Sequence, residues 1–172
     1  GFEILFSHIG FSYTQKKFVK DEFGNKFFAE IHKDPYMLLQ RIPRLSFDRI
    51  ESIISIFGIE VSLDKKIVAA TRHALMQSEA ERGNTCGPLE RVLLRTQEIT
   101  KNDFETIQAA ISSHHHLFNK FEIQDKEFLE TTEACERDND IAKQIWLIKD
   151  NFKPIKGKKF SANKNATNPL SE

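Results

Sequence analysis

The sequence predicts a mainly α fold, in which two consecutive helix–hairpin–helix units precede a small winged-helix-like unit with a β-hairpin. Apolar residues recur at helical spacing through most of the chain, and helix-capping residues stand where these runs begin. Near residue 120 the pattern changes, because apolar residues flank a polar turn at Gln124–Lys126, which indicates a β-hairpin. We therefore predict a tandem helix–hairpin–helix domain at 1–87, a winged-helix-like domain at 88–152 and a flexible linker at 153–172.

Residues 34–88 have the clearest helix boundaries. Capping residues begin each predicted helix, and proline or glycine ends it. The three helices run from Asp34-Pro35 to Pro43, from Ser46 to Gly58, and from Ser62 to Gly83. Two helices joined by a tight turn form a helix–hairpin–helix unit, and we name its turn, Ile42–Ser46, the second turn.

The first 39 residues repeat this arrangement. Their turn, Ile9–Ser12, is named the first turn and retains a glycine, Gly10. Ser12 or Thr14 is predicted to cap the helix that follows, and Asn25 the helix after that. Two such units side by side predict a pseudo-symmetric pair.

The second half of the chain is predicted to contain three helices and the β-hairpin. Pro88 begins the first of these helices, and Thr100 caps the next. A final helix runs from Thr132 to about Asn151. Its predicted inward-facing residues are Ile141, Ile145, Trp146 and Ile148, and we expect Trp146 and Phe57 to be largely buried.

Composition restricts the possible functions. The formal net charge is zero, so a nucleic-acid site would have to be a local patch. Cys86 and Cys135 lack metal-site spacing and are interpreted as reduced thiols. The tract His114–His116 fits a helix C-terminus better than a metal site, because consecutive helical residues point in different directions. With no signal peptide or membrane-length apolar run, we expect a cytoplasmic protein without a membrane partner.

Catalytic motifs are missing from the sequence. It contains no GxxxxGK[ST] phosphate-binding loop, so we expect no ATP hydrolysis by this chain, no catalytic residues and no metal ligands.

Several motifs together resemble a known family. D-P-Y-x-L at 34–38, F-x-R-I at 47–50, F-G-I at 57–59 and E-x-G-N-T-x-x-P at 81–88 occur in an order similar to that in the N-terminal accessory region of RecD-like (RecD/TraA family) DNA helicases. The family's turn follows I-x-G-I-G-F, whereas Arg44 and Ser46 occupy the glycine positions here. Leu170–Glu172 resembles the start of the motor, and the chain begins at Gly1, so we interpret it as an excised part of a longer protein.

The resemblance implies partners and cofactors. The full-length protein would be an ATP-dependent 5′–3′ DNA helicase of DNA repair or recombination, using ATP and magnesium in motor domains beyond residue 172. The present chain would hold no cofactor, and would contact those motor domains and DNA, single-stranded or duplex, without sequence preference. An alternative is a non-catalytic structural or protein-interaction module whose turns no longer bind DNA.

The two turns supply the candidate DNA-binding residues. A turn that leads into a helix N-terminus presents backbone amides and partial positive charge, which suits phosphate. Lys16 and Lys17 add charge at the first turn, although a solvated lysine-rich face explains the same pattern. At the second turn packing is favoured over DNA contact, because Pro43 lacks an amide hydrogen and Arg44 replaces glycine. The candidate residues are Gly10, Ser12, Thr14, Lys16, Lys17, Arg41 and Arg44.

Overall fold

Helices form most of the chain, as predicted, in the computed structural model of this protein. The structure describes residue 6 and residues 9–151, without the side chains of residues 81 and 82. The α-helices are α1 (Tyr13–Glu22), α2 (Phe27–Lys33), α3 (Leu38–Arg41), α4 (Phe47–Phe57), α5 (Leu63–Arg82), α6 (Leu89–Thr100), α7 (Phe104–Ser113) and α8 (Thr132–Asn151). The strands are β1 (Cys86–Pro88), β2 (Phe118–Ile123) and β3 (Lys126–Thr131). The predicted linker at 153–172 lies outside the described residues.

A small antiparallel sheet accompanies the helices, with strand order β1-β3-β2. The predicted β-hairpin is confirmed as β2 and β3, and both turn residues, Gln124 and Asp125, have positive φ. β1 was not predicted, because three residues are too few to show an alternating pattern. It pairs with β3 from Cys86 opposite Glu130 to Pro88 opposite Phe128.

Most predicted helix boundaries are confirmed. The Ser12 and Ser62 hydroxyls accept hydrogen bonds from backbone amides three residues later, and the Asp34 carboxylate accepts one from the amide of Tyr36. Asp34 thereby caps a 3₁₀ helix, Pro35–Met37, that leads into α3. The final helix has the predicted limits.

Two predicted caps are wrong. Asn25 lies within a 3₁₀ helix, Gly24–Lys26, that leads directly into α2. Thr100 is the last residue of α6, and its hydroxyl donates to the carbonyl of Thr96 within that helix. Asp103 caps α7 instead, since its carboxylate accepts from the amide of Thr106 at 2.8 Å. The carboxylate is the stronger acceptor for a helix N-terminus.

The buried side chains of the described residues form two clusters. The first lies among α1 to α4 and is rich in phenylalanine, with Phe27 fully buried at its centre. The second joins α5, α6, α7 and the sheet. α5 contributes to both, through Ala70 to the first and through Ile67 and Leu75 to the second. The domain limits predicted at residues 87 and 152 stay predictions.

The expected burial of the final helix is wrong. Ile141, Ile145, Trp146 and Ile148 are all exposed, and Trp146 is 61% exposed. Helical spacing identified an apolar stripe, but a stripe alone does not show that another element covers it. Phe57 is only partly buried, at the edge of the first cluster against Phe28. None of the described helices combines the length and apolarity needed to cross a membrane.

Candidate nucleic-acid interface

The first and second turns share one backbone plan. Each has a residue with positive φ, then a buried apolar residue, then a serine at the N-cap of the following helix. In chain order these are Gly10, Phe11 and Ser12 in the first turn, and Arg44, Leu45 and Ser46 in the second. The φ angles are 71° at Gly10 and 57° at Arg44. The degenerate second turn therefore retains the shape of the first.

The replacement of glycine by Arg44 counted against DNA contact at the second turn, but Arg44 takes up the left-handed conformation that glycine would have. A left-handed conformation costs an L-residue roughly 1–2 kcal/mol, so surrounding contacts must impose it. Leu45 is buried beside it, and the Arg44 carbonyl accepts a hydrogen bond from Gln15.

Replacing Arg44 by glycine is expected to stabilise the chain by roughly 0.5–1 kcal/mol, because it relieves this conformation while increasing unfolded-state entropy. Urea unfolding followed by circular dichroism measures the change. Arg44→Ala is the matched control, since it removes the same charge but keeps a Cβ. Equal stability of the two variants would contradict a conformational origin.

The two turns are joined by side-chain hydrogen bonds. Gln15 Nε2 donates to the carbonyl oxygens of Pro43, at 3.1 Å, and Arg44, at 3.4 Å. In the opposite direction, Arg49 donates to the carbonyl of Gly10. A Cβ at position 10 would lie 3.2 Å from Arg49 Nη1, so this approach favours glycine as the positive φ does. The predicted side-by-side pairing is confirmed, and the Arg49 hydrogen bond to Gly10 is one of the contacts that hold it together.

The helix N-termini after the two turns differ in charge. At α1 a capping box uses the amides of Ser12 and Gln15, and the first turn of the helix carries no acidic residue. The cap leaves the amides of Tyr13 and Thr14, which point out of the helix start. At α4 the Ser46 hydroxyl makes no capping hydrogen bond, and Asp48 lies in the first turn. The Asp48 carboxylate neutralises the partial positive charge at the N-terminus of that helix and would repel a phosphate there.

The predicted basic residues are placed differently around the turns. Lys16 and Lys17 follow the first turn on α1, where Lys17 is exposed and Lys16 partly buried. Arg44 is exposed at the second turn itself. Arg41 ends α3 with its guanidinium carbon 5.3 Å from the centre of the Phe23 ring, an attractive cation–π contact.

Sequence reasoning missed two residues at this site. Gln15 links the turns, and Tyr13, the first residue of α1, is 83% exposed. A glutamine three residues after a serine cap signals a capping box, but not its further reach to the second turn. The exposed tyrosine directly after the cap was visible in the sequence but had no motif to mark it.

Tyr36, in the 3₁₀ helix Pro35–Met37, makes hydrogen-bonded contact with α4. The Tyr36 hydroxyl donates to Glu51 at 2.7 Å, and Lys66 pairs with the same carboxylate. Burial, together with this contact, raises the pKa of Tyr36 well above its usual range, so it stays protonated. Tyr36 therefore connects the 3₁₀ helix Pro35–Met37 to α4 directly and, through Glu51 and Lys66, to α5.

The histidine tract shows the predicted helix-end role. His114 is the C-terminal cap of α7, and its Nδ1 lies 3.0 Å from the carbonyl of Ala110. In the part of the chain that the structure describes, no three His, Cys, Asp or Glu side chains are grouped as a metal site.

The family comparison covers both turns. Residues 3–86 match the family described as the ATP-dependent RecD2 DNA helicase HHH domain. A search of curated proteins found no match. The resemblance to RecD-like helicases is thus confirmed over the paired helix–hairpin–helix units. Residues 3–86 belong to the helix–hairpin–helix domain family of the RecD2 DNA helicases, and this match supports a DNA-binding accessory role in a RecD-type helicase.

Proposed function

We propose that the chain binds the DNA backbone without sequence preference, mainly through the first turn and the start of α1. The observation that carries this proposal is the N-terminus of α1, whose first turn carries no acidic residue and has two lysines beside it. Amides and lysines recognise phosphates, which are the same at every base pair, so such contacts position DNA without reading its sequence.

The second turn acts in this proposal as a support. Asp48 lies at the start of its helix, and Gln15 and Arg49 tie it to the first turn. Arg41 and Arg44 add a basic flank, with a smaller share of the binding energy.

The wider role follows from the family. In the proposal the full-length protein is a 5′–3′ helicase whose motor domains, outside this chain, use ATP and magnesium. Its setting is DNA repair or recombination in the cytoplasm. The accessory region holds the strand beside the motor and requires neither cofactor for its own contact with DNA.

A protein-interaction role is the second candidate. The observation that favours it is the exposed apolar stripe of α8, with Ile145, Trp146 and Ile148 each more than half exposed. Stripes of this kind often mark protein contacts. The zero formal charge of the chain agrees with it as well.

Fluorescence-anisotropy titration of labelled oligonucleotides tests the DNA role. We expect weak binding, with Kd roughly 10⁻⁴–10⁻⁶ M at physiological salt. Affinity should fall as salt rises, with a log–log slope of about 0.7–0.9 for each phosphate contacted. Adding ATP and magnesium at constant ionic strength should leave it unchanged. If the chain binds no DNA even at low salt, the interaction role replaces this one.

A further inference from the structure

The aromatic residue after the serine cap is used differently in the two units. In the second unit it is Phe47, which is 4% exposed and stacks on Tyr36 with ring centres 5.5 Å apart. In the first unit it is Tyr13, which is 83% exposed. This is the largest exposed fraction among the large apolar side chains that stand out from the described surface. The shared plan therefore leaves one aromatic ring open to solvent, at the first turn.

The open ring lies among the groups proposed to hold phosphate. Lys16 and Lys17 follow Tyr13 by three and four residues, so all three side chains occupy one side of α1. Val19, which is fully buried, lies about 120° around the helix axis from Tyr13, next to the partly buried Lys16. The ring's own backbone amide is one of the two that the capping box leaves unused. An aromatic surface and cations beside it are the combination found in proteins that bind single strands.

We propose that Tyr13 stacks on an unpaired base and gives the first turn a preference for single-stranded over duplex DNA. The proposal rests on the proposed function, because a phosphate held at the start of α1 brings the attached nucleotide to the ring. Bases expose their flat faces only when they are unpaired and unstacked, so a duplex can use the phosphate contacts alone. Every base has such a face, so stacking adds affinity without adding sequence preference.

Three probes separate stacking from phosphate contact in the complete chain. They are an oligothymidine strand of about 12 nucleotides, an abasic strand of equal length and a blunt duplex with the same label. Tyr13→Ala is expected to weaken binding to the thymidine strand about tenfold, while binding to the other two changes less than about twofold. Tyr13→Phe keeps the ring and should bind as the wild type does. Salt slopes should not change, because no phosphate contact is lost.

Two results would overturn the stacking role. An equal loss on all three probes would mean that Tyr13 only shapes the turn, and unchanged binding to the thymidine strand would mean that no base stacks there. In both cases the wild type still binds, so the proposed backbone contact stands. Failure of the wild type to bind any probe would instead remove both proposals. Since Tyr13 is exposed, Tyr13→Ala should unfold at the same urea concentration as the wild type, which confirms that folding is intact.

Discussion

Replacing Lys16 and Lys17 together by glutamate is expected to abolish detectable DNA binding at moderate salt. The change removes two cations beside the amides of α1 and adds two anions there. Wild-type binding is already weak and non-specific. A fall in affinity of more than about tenfold therefore makes binding too weak for the titration to detect. The start of α1 would change from favouring phosphate to repelling it. Anisotropy titration at low and moderate salt measures the loss.

The matched control reverses two lysines elsewhere. Lys143→Glu with Lys149→Glu on α8 gives the same change in net charge. Lys143 is largely exposed and pairs with the exposed Asp140, and Lys149 lies over the exposed ring of Trp146. We expect this control to lower affinity only slightly, through long-range repulsion that salt screens. Similar losses in the two double variants would show that binding follows net charge and has no site at the first turn.

Arg44→Glu distinguishes between the turns. It should weaken binding less than the lysine pair does, because Asp48 already occupies the start of α4. A larger loss from Arg44→Glu would place the main contact at the second turn. Comparison with Arg44→Gly separates charge reversal from the conformational effect.

Local chemistry explains why the sequence predicted most of the helix limits. The hydroxyl of a cap such as Ser12 or Ser62 accepts a hydrogen bond from the backbone amide three residues later. The residues that form the cap are therefore close together in the chain. Pro43 ends a helix for equally local reasons. The two errors have different causes. Thr100 has a competing neighbour in Asp103, whose carboxylate caps α7, whereas Asn25 lies inside a 3₁₀ helix that continues directly into α2.

Contacts between residues that are distant in the chain could not be predicted from the sequence. Gln15 meets the carbonyl of Pro43 across 28 positions, and nothing near Gln15 indicates this contact. The backbone of Arg44 has a glycine-like φ because of such contacts, although arginine disfavours it. The candidate residues of the site were thus found by motif, while their division between a phosphate-facing first turn and a supporting second turn required the structure.

Side chains are buried where apolar residues are dense in the folded chain, and exposed where they form the single stripe of α8. Phe27 is fully buried among the phenylalanines of the first cluster. Trp146 is the clearest failure of the predicted burial, being the single tryptophan of the chain and yet largely exposed. Their different surroundings give the largest expected difference in stability.

Phe27→Ala is expected to lower the free energy of unfolding by about 3–5 kcal/mol, because removal of the ring leaves a cavity that the surrounding rings cannot fill. The centre of its ring lies 5.5 Å from that of Phe6 and 5.9 Å from those of Phe23 and Phe28. A loss of this size is a large share of the total stability of an ordinary domain. Trp146→Ala, which deletes a larger side chain, should change stability by less than about 1 kcal/mol, since water already covers most of the ring.

Urea unfolding followed by circular dichroism at the helical band compares the two variants, since the Trp146 variant has no tryptophan fluorescence. Phe27→Leu serves as the control for Phe27→Ala, because it keeps an apolar side chain and should lose less stability. Near-wild-type unfolding of Phe27→Ala would contradict the aromatic core that positions both turns. A loss from Trp146→Ala as large as that from Phe27→Ala would show that the apolar stripe of α8 is covered in the folded chain, which would weaken the case for α8 as a protein-contact surface.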